Sequence, residues 1–343
     1  MELFELIETL SALSGPSGQE DRLHGFLRQQ LERLCDHVET DAMGNMIGVR
    51  SCGKSNAKKV LLDAHLDEVG LIVTGIERGF LRVSALGGID ARILPAIEVL
   101  VLTEPPIPGV IDTMPPHALR AEEMEKAVPI EKLVIDVGMT QEESEQAVPL
   151  GTAVTFCTQP KRLLGGKLCG KSLDNRAGAA ILLRVLEHLR DETLDFDLYA
   201  MFSTQEELGM RGAGAGVYGI APDLALVLDV THGKTPDAKD VTLMDLGKGP
   251  AIGVGPNMTR CVTQALQETA EREKIPFQFE VMSGSSGTNA WPIQIACGGI
   301  PVGVLSLPLR YMHTPHEVID LQDACQMAEL TAAFVRRAGE VLI

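Results

Sequence analysis

In this chain of 343 residues, several apolar runs end in side chains that can hold a metal ion. KVLLDA is followed by His65, Leu66 and Asp67; LYAMFST by Gln205, Glu206 and Glu207; and LALVL by Asp229. Beyond VGVLSL lies a short stretch that contains His313, and Asp174 stands in KSLDNRAG, where a helix is expected to begin near Asn175. Apolar runs of this length read as buried strands, and in open α/β sheets ligands gather beyond the carboxyl ends of the strands. Two imidazoles and a set of carboxylates would then meet along one sheet edge. That donor set suits zinc, with cobalt or manganese as alternatives.

Taken singly, each residue has a plainer reading. An H-x-D pair is usually incidental, adjacent Glu206 and Glu207 would ordinarily be a solvated pair, and Asp174 could be a helix N-cap. Asp229 could end a strand in a turn, and His313 could be a satisfied core histidine, with His232 and His316 as rivals. The joint pattern is what points to chemistry. With His65, Asp174, Glu207, Asp229 and His313 as ligands, three carboxylates facing two divalent cations leave about one positive charge, which a bridging hydroxide neutralises. A single ion would be over-neutralised and its Lewis acidity blunted. An aspartate between two cations can give one oxygen to each, and Asp174 is the natural candidate.

The elements that must position these groups alternate. Helices are expected near the N-terminus, over Gln19–Leu34, Asn175–Leu189, Arg211–Tyr218, Val262–Lys274, Ala290–Ala296 and Leu321 to about Leu342. Between them lie the strands Lys59–Ala64, Phe196–Ser203, Leu224–Leu228, Phe277–Met282 and Val302–Leu307. That rhythm predicts a three-layer α/β/α sandwich around a mostly parallel or mixed sheet. From Gly70 to about Pro160 the texture changes to short strands separated by Gly and Pro, broken only by a helical piece near Gln141–Ala147. This predicts a small β-barrel-like domain at 70–163, inserted into a catalytic domain made of 1–69 and 164–343.

Composition narrows the function classes. A formal net charge of −17 disfavours nucleic acid and anionic lipid, which need basic patches. Seven cysteines without a C-x-x-C pair argue against a disulfide framework or a zinc knuckle. The N-terminal MELFELIETLSALSG carries acids within its apolar pattern, so it reads as an amphipathic helix and not as a signal peptide. No apolar run is long enough to span a bilayer, and a cytoplasmic location is expected.

HLDEVG, KSLDNRAG, QEELGMRGA, LDVTH and RYMHTPHE resemble, in order, the signature segments of the tetrahedral aminopeptidases. These cocatalytic metallopeptidases are also called glutamyl or deblocking aminopeptidases, and some members are labelled endoglucanases. The resemblance spans nearly the whole chain. It implies that His65 and Asp229 complete one metal site and Glu207 and His313 the other, with Asp174 bridging. Asp67 would hydrogen-bond the far nitrogen of His65, and Glu206 would be the general base. Short peptides would be the substrates, and the inserted domain would pair subunits into dimers that can build a tetrahedral dodecamer. One departure stands out: the resemblance implies Gly-Thr-Asp-Ala in the late glycine-rich loop, whereas SGSSGTNA puts Asn289 at the acid's position. Two other functions remain as alternatives. A metal-independent glycoside hydrolase would use paired carboxylates but leave His65 and His313 without a purpose. A catalytically inactive assembly protein would keep full metal occupancy with no turnover.

Overall fold

The computed structural model describes residues 1–114, 127–236, 238 and 243–342. Strands β1 (His37–Thr40), β2 (Met46–Arg50) and β3 (Lys59–His65) begin a central sheet. The chain then leaves it for β4 (Gly70–Glu77), β5 (Phe80–Leu86), β6 (Ile97–Val101), β7 (Ile107–Asp112), β8 (Val134–Asp136) and β9 (Ala153–Phe156). It returns with β10 (Lys161–Leu163), β11 (Lys167–Gly170), β12 (Asp197–Ser203) and β13 (Leu224–His232). Strands β14 (Ala251–Val254), β15 (Gln278–Val281), β16 (Val302–Arg310) and β17 (Glu317–Asp320) complete it. The helices are α1 (Leu3–Ala12), α2 (Asp21–Leu31), α3 (Gln141–Ala147) and α4 (Leu173–His188), then α5 (Arg211–Ile220), α6 (Arg260–Glu273), α7 (Ala290–Ile295) and α8 (Leu321–Arg337).

The expected architecture is present, and the sheet is mixed. Its 11 strands run β1-β2-β12-β3-β13-β16-β17-β11-β10, with β14 joining β16 to β15. The centre, β12-β3-β13-β16, is parallel, and antiparallel strands flank it on both sides. Parallel strands covered on both faces must be apolar throughout, as Val60–Leu62 and Leu224–Leu228 are. Alternate residues of those strands divide between two cores. Val60, Leu62, Leu226 and Leu305 pack toward α1, α4, α6 and α8, while Leu61, Val227 and Val304 pack toward α5 and α7. Helix α1 shows how local sequence serves this layer: Leu3, Leu6, Ile7 and Leu10 fall on one stripe and are all buried.

Strands β4 to β9 close into an antiparallel barrel in the order β4-β5-β8-β7-β6-β9. It has its own core, including Leu71, Val83, Val99, Ile111, Ile135 and Val154. Sequence patterning finds five of its strands and misses β7, whose EPPIPGVID context reads as turn because of its prolines. In β7 only the inward positions Gly109 and Ile111 are buried, which leaves a weak apolar signal. The pairing of β13 with β16 also carries β13 past the expected end at Leu228 to His232, so Asp229 lies within the strand, opposite Ser306. Helix α8 stops at Arg337, short of Leu342. Among the described residues no helix is long and apolar enough to cross a membrane.

Candidate metal centre

Five chain segments meet where the parallel strands end. His65 is the last residue of β3, lies opposite Ser203 of β12, and is followed closely by Asp67. Glu206 and Glu207 come just after β12, and Asp229 projects from β13. His313 lies in the connection between β16 and β17, with φ of 60°. Asp174 sits at the entry of α4 with a non-helical backbone (φ −77°, ψ 104°), after Ser172 in the left-handed region. Although a helix start could have made it a cap, no such bond is formed: its carboxylate points at the two histidines.

The distances around Asp174 define the site. Its Oδ1 lies 3.1 Å from His65 Nε2, and its Oδ2 lies 3.4 Å from His313 Nε2. On the first side, His65 Nε2 is also 3.8 Å from Asp229 Oδ1; on the second, His313 Nε2 is 3.2 Å from Glu207 Oε1. Potential ligand atoms of His65, Asp174 and Asp229 all lie within 4.8 Å of one another, and the same holds for Asp174, Glu207 and His313. His65, Glu206 and Glu207 meet the same criterion, but Asp174 is the carboxylate that faces both histidines, one with each oxygen. A cleft of about 350 Å³ opens onto them, lined also by Gly88, Glu206, Met210, Val230, Gly287 and Met312.

A surrounding set of hydrogen bonds holds these groups. Asp67 is fully buried; its Oδ1 accepts from the Glu206 N–H at 2.9 Å, and its Oδ2 accepts from the Glu207 N–H at 3.0 Å and from the Ser17 hydroxyl at 2.6 Å. His65 Nδ1 lies 3.3 Å from Asp67 Oδ1 and 3.2 Å from its carbonyl oxygen, which turns Nε2 toward the cleft. Asp67 thus fixes a histidine and the backbone beneath both glutamates. Glu317, at the start of β17, accepts from the Asp174 N–H at 3.0 Å and from the His313 N–H at 2.8 Å. The barrel reaches the site through Gly88, whose carbonyl oxygen is 2.8 Å from His313 Nδ1. Asn175 donates to the Leu228 carbonyl at 2.8 Å and so ties α4 to β13 just before Asp229.

Electrostatics show what the protein alone leaves unbalanced. Burial, reinforced by the carboxylates of Glu207, Asp174 and Asp67, pushes Glu206 up to about 8 against the pull of His65. Burial and the neighbouring acids Asp174 and Glu206 likewise raise Asp229 well above the carboxylate range, and burial raises Glu207. Burial opposes the His313 imidazolium, yet the carboxylates of Asp174 and Glu207 close to its ring outweigh it and push His313 up to about 11. His65 is raised in the same way by Asp174 and Asp67. Glu206 Oε1 and Glu207 Oε1 are buried without a hydrogen-bond partner, so Glu207 and His313 face each other closely but out of line. Crowded acids, outward-aimed imidazoles and orphaned oxygens fit a site that divalent cations would balance.

Other residues singled out by sequence lie elsewhere. His232 and His316 are exposed, and no cluster of potential metal ligands among the described residues includes them. Asn289 is fully buried beside Asp63 and Ser203 rather than among the ligand candidates. Sequence reasoning passed over Glu317, Ser17 and Gly88. Only Glu317 had a usable signal, four residues after His313 in a motif already noted.

Comparison with known proteins adds independent evidence. The family model for M42 glutamyl aminopeptidases matches residues 44–330. A lysyl aminopeptidase of Pyrococcus furiosus is 32% identical, over 97% of this chain and 96% of that protein. The aminopeptidase APDkam598 from the archaeon Desulfurococcus kamchatkensis superposes with a TM-score of 0.90 at 34% identity, covering 97% of this chain and 94% of that one. The TET1 peptidase of Pyrococcus horikoshii, which can assemble into a tetrahedron or a large octahedral shell, gives 0.86 at 30% identity, covering 97% and 99%. The chain belongs to the M42 glutamyl aminopeptidase family, and the activity that membership carries is aminopeptidase activity.

Proposed function

We propose that the chain is a dinuclear metallo-aminopeptidase that releases N-terminal residues from short peptides. The observation that carries this reading is the double aim of Asp174, one oxygen toward each histidine. His65 and Asp229 would hold one ion, His313 and Glu207 the other, with Asp174 between them. The donor set suits zinc, with cobalt or manganese as alternatives. When bound, the ions supply Lewis acidity toward the scissile carbonyl and make water a usable nucleophile near neutral pH.

The chain's own groups do the rest. Glu206 is the general base: it lies in the cleft, its Oε1 has no partner, and it is none of the five proposed ligands. It takes a proton from the attacking water and later delivers it to the leaving amine. Asp67 acts through others, orienting His65 and holding the Glu206 and Glu207 backbone in place. The acids lining the cleft would attract the free α-ammonium of a peptide, which favours action from the N-terminus. Residues 70–163 would form a dimerisation domain, and the tetrahedral and octahedral assemblies of the Pyrococcus horikoshii relative support self-association, with the tetrahedral dodecamer as the form that the motif resemblance implies.

The test is a screen of metal-loaded protein against aminoacyl chromogenic substrates, with and without chelator. Turnover that a chelator abolishes, and that Glu206→Gln lowers by about 100-fold or more, is expected. A broad panel left intact by the loaded protein would contradict the reading.

A further inference from the structure

Residues 283–288, SGSSGT, form a wall of the catalytic cleft through Gly287. The loop is pinned at one end by the Met282 N–H, which donates to the Val254 carbonyl at 2.8 Å. Its own hydrogen bonds are long, 3.1 to 3.4 Å, and join Ser285, Ser286, Gly287 and Thr288 to each other. Beyond these, the loop bonds only to Ala290 and Trp291 in the first turn of α7 among the described residues. The next attachment to the rest of the molecule is Asn289.

Both N–H bonds of the Asn289 side chain are used, one to Asp63 Oδ2 and one to Ser203 Oγ, each at 2.8 Å. All three residues are fully buried. Asp63 lies two residues before His65 on β3, and Ser203 ends the strand that leads to Glu206 and Glu207. One amide therefore joins the loop to β3 and β12, two of the three strands that deliver groups to the site. The chemistry of an amide suits this place. An aspartate, which the motif resemblance implies here, would set two carboxyl groups face to face and offer no fixed donor to either partner. Asparagine donates to both whatever the pH.

We propose that Asn289 is a positioning residue that clamps the 283–288 loop onto the ends of β3 and β12. The clamp sets the cleft wall that a bound peptide meets. Its consequence for turnover rests on the aminopeptidase reading above; the clamp itself does not. The Asn289 side chain hydrogen-bonds to Asp63 and Ser203 and to no proposed metal ligand, so its loss should act on substrate binding before it acts on chemistry.

The experiment compares Asn289→Leu, similar in volume without donors, with the milder Ser203→Ala in the full metal-loaded chain. Steady-state kinetics on the best aminoacyl substrate is one readout. The second needs no activity: Trp291 is the only tryptophan of the chain and is 44% exposed at the start of α7, so acrylamide quenching of its fluorescence follows the clamp directly. Asn289→Leu, which removes both donated hydrogen bonds, should raise KM about fivefold or more, with kcat within about twofold. It should also make Trp291 easier to quench, and Ser203→Ala should shift both readouts the same way by less. Wild-type KM and quenching in both variants would overturn the proposal, as would a fall in kcat at constant KM. If Asn289→Leu does not fold, Ser203→Ala decides by the same criteria. If no variant and no wild type turns over any substrate, quenching alone decides.

Discussion

His65 and His313 face opposite oxygens of Asp174, yet their settings differ. The His65 side chain is 2% exposed, and that of His313 is 31% exposed. His65 ends a central strand and is oriented by the buried Asp67, while its partner Asp229 projects from the neighbouring strand. His313 sits in a connection with a left-handed backbone and is oriented by Glu317 through its N–H and by Gly88 of the barrel through its ring. One half of the centre is thus built by the sheet, the other by a loop and a second folding unit. A ligand locked by packing and hydrogen bonds on a central strand holds an ion better than one carried by a connection and supported from a second folding unit. The sheet-built half should therefore bind first and more tightly.

The largest test of that asymmetry removes what the halves share. Asp174→Asn should weaken both ions and lower activity by more than about 100-fold, since even residues that only support ligands cost 10- to 100-fold. Metal content after dialysis checks it. His65→Ala and His313→Ala then separate the halves: the first should lose both ions on dialysis, the second should keep one. Equal losses would break the comparison.

The pH dependence of metal-free protein is a further, medium-sized effect. Glu206 stands at about 8 and His313 at about 11 in the folded chain, against ordinary values of 4.5 and 6.5, and Glu207 and Asp229 are raised as well. The folded state keeps protons that the unfolded chain gives up. The stability they contribute is complete below the unfolded values and is lost as pH rises toward the folded ones. Asp174 is shifted the other way, so its contribution is present above 3.8 and lost only in acid. From about pH 5 to about pH 8 the Tm of metal-free protein should thus fall by roughly 5 °C, and saturating zinc should flatten the slope. Scanning calorimetry with and without chelator measures both.

The smallest effect lies at the barrel contact. A Cβ on Gly88 would come 3.1 Å from His313 Nδ1 and 3.4 Å from Cε1, tight enough to make the ring give by a few tenths of an ångström. Gly88→Ala should weaken metal binding in the exposed half by about tenfold and leave the buried half unchanged. Isothermal titration of the second ion checks this.

Much of this was legible in the residues because strands end abruptly. His65, Glu206 and Glu207 follow apolar runs, and that placement alone brings them to the sheet edge, where the structure sets them beside Asp174, Asp229 and His313. Asp229 was found for a partly mistaken reason, since β13 continues past it; the alternation within a strand, not the strand's end, aims its side chain. Ser17 and Gly88 left no trace because their contributions depend on contacts across 50 and 225 residues of chain. Strand β17 was missed for a similar reason: EVID has only two apolar residues, the adjacent Val318 and Ile319, between two acids, and its burial comes from pairing with β11 and β16.

Anomalous diffraction from crystals of the zinc-loaded protein tests the centre most directly. Two peaks per chain, one on each side of Asp174, are expected: one beside His65 and Asp229, and the other beside Glu207 and His313, the weaker if occupancy is partial. A single peak, or density away from Asp174, would contradict the shared-carboxylate centre.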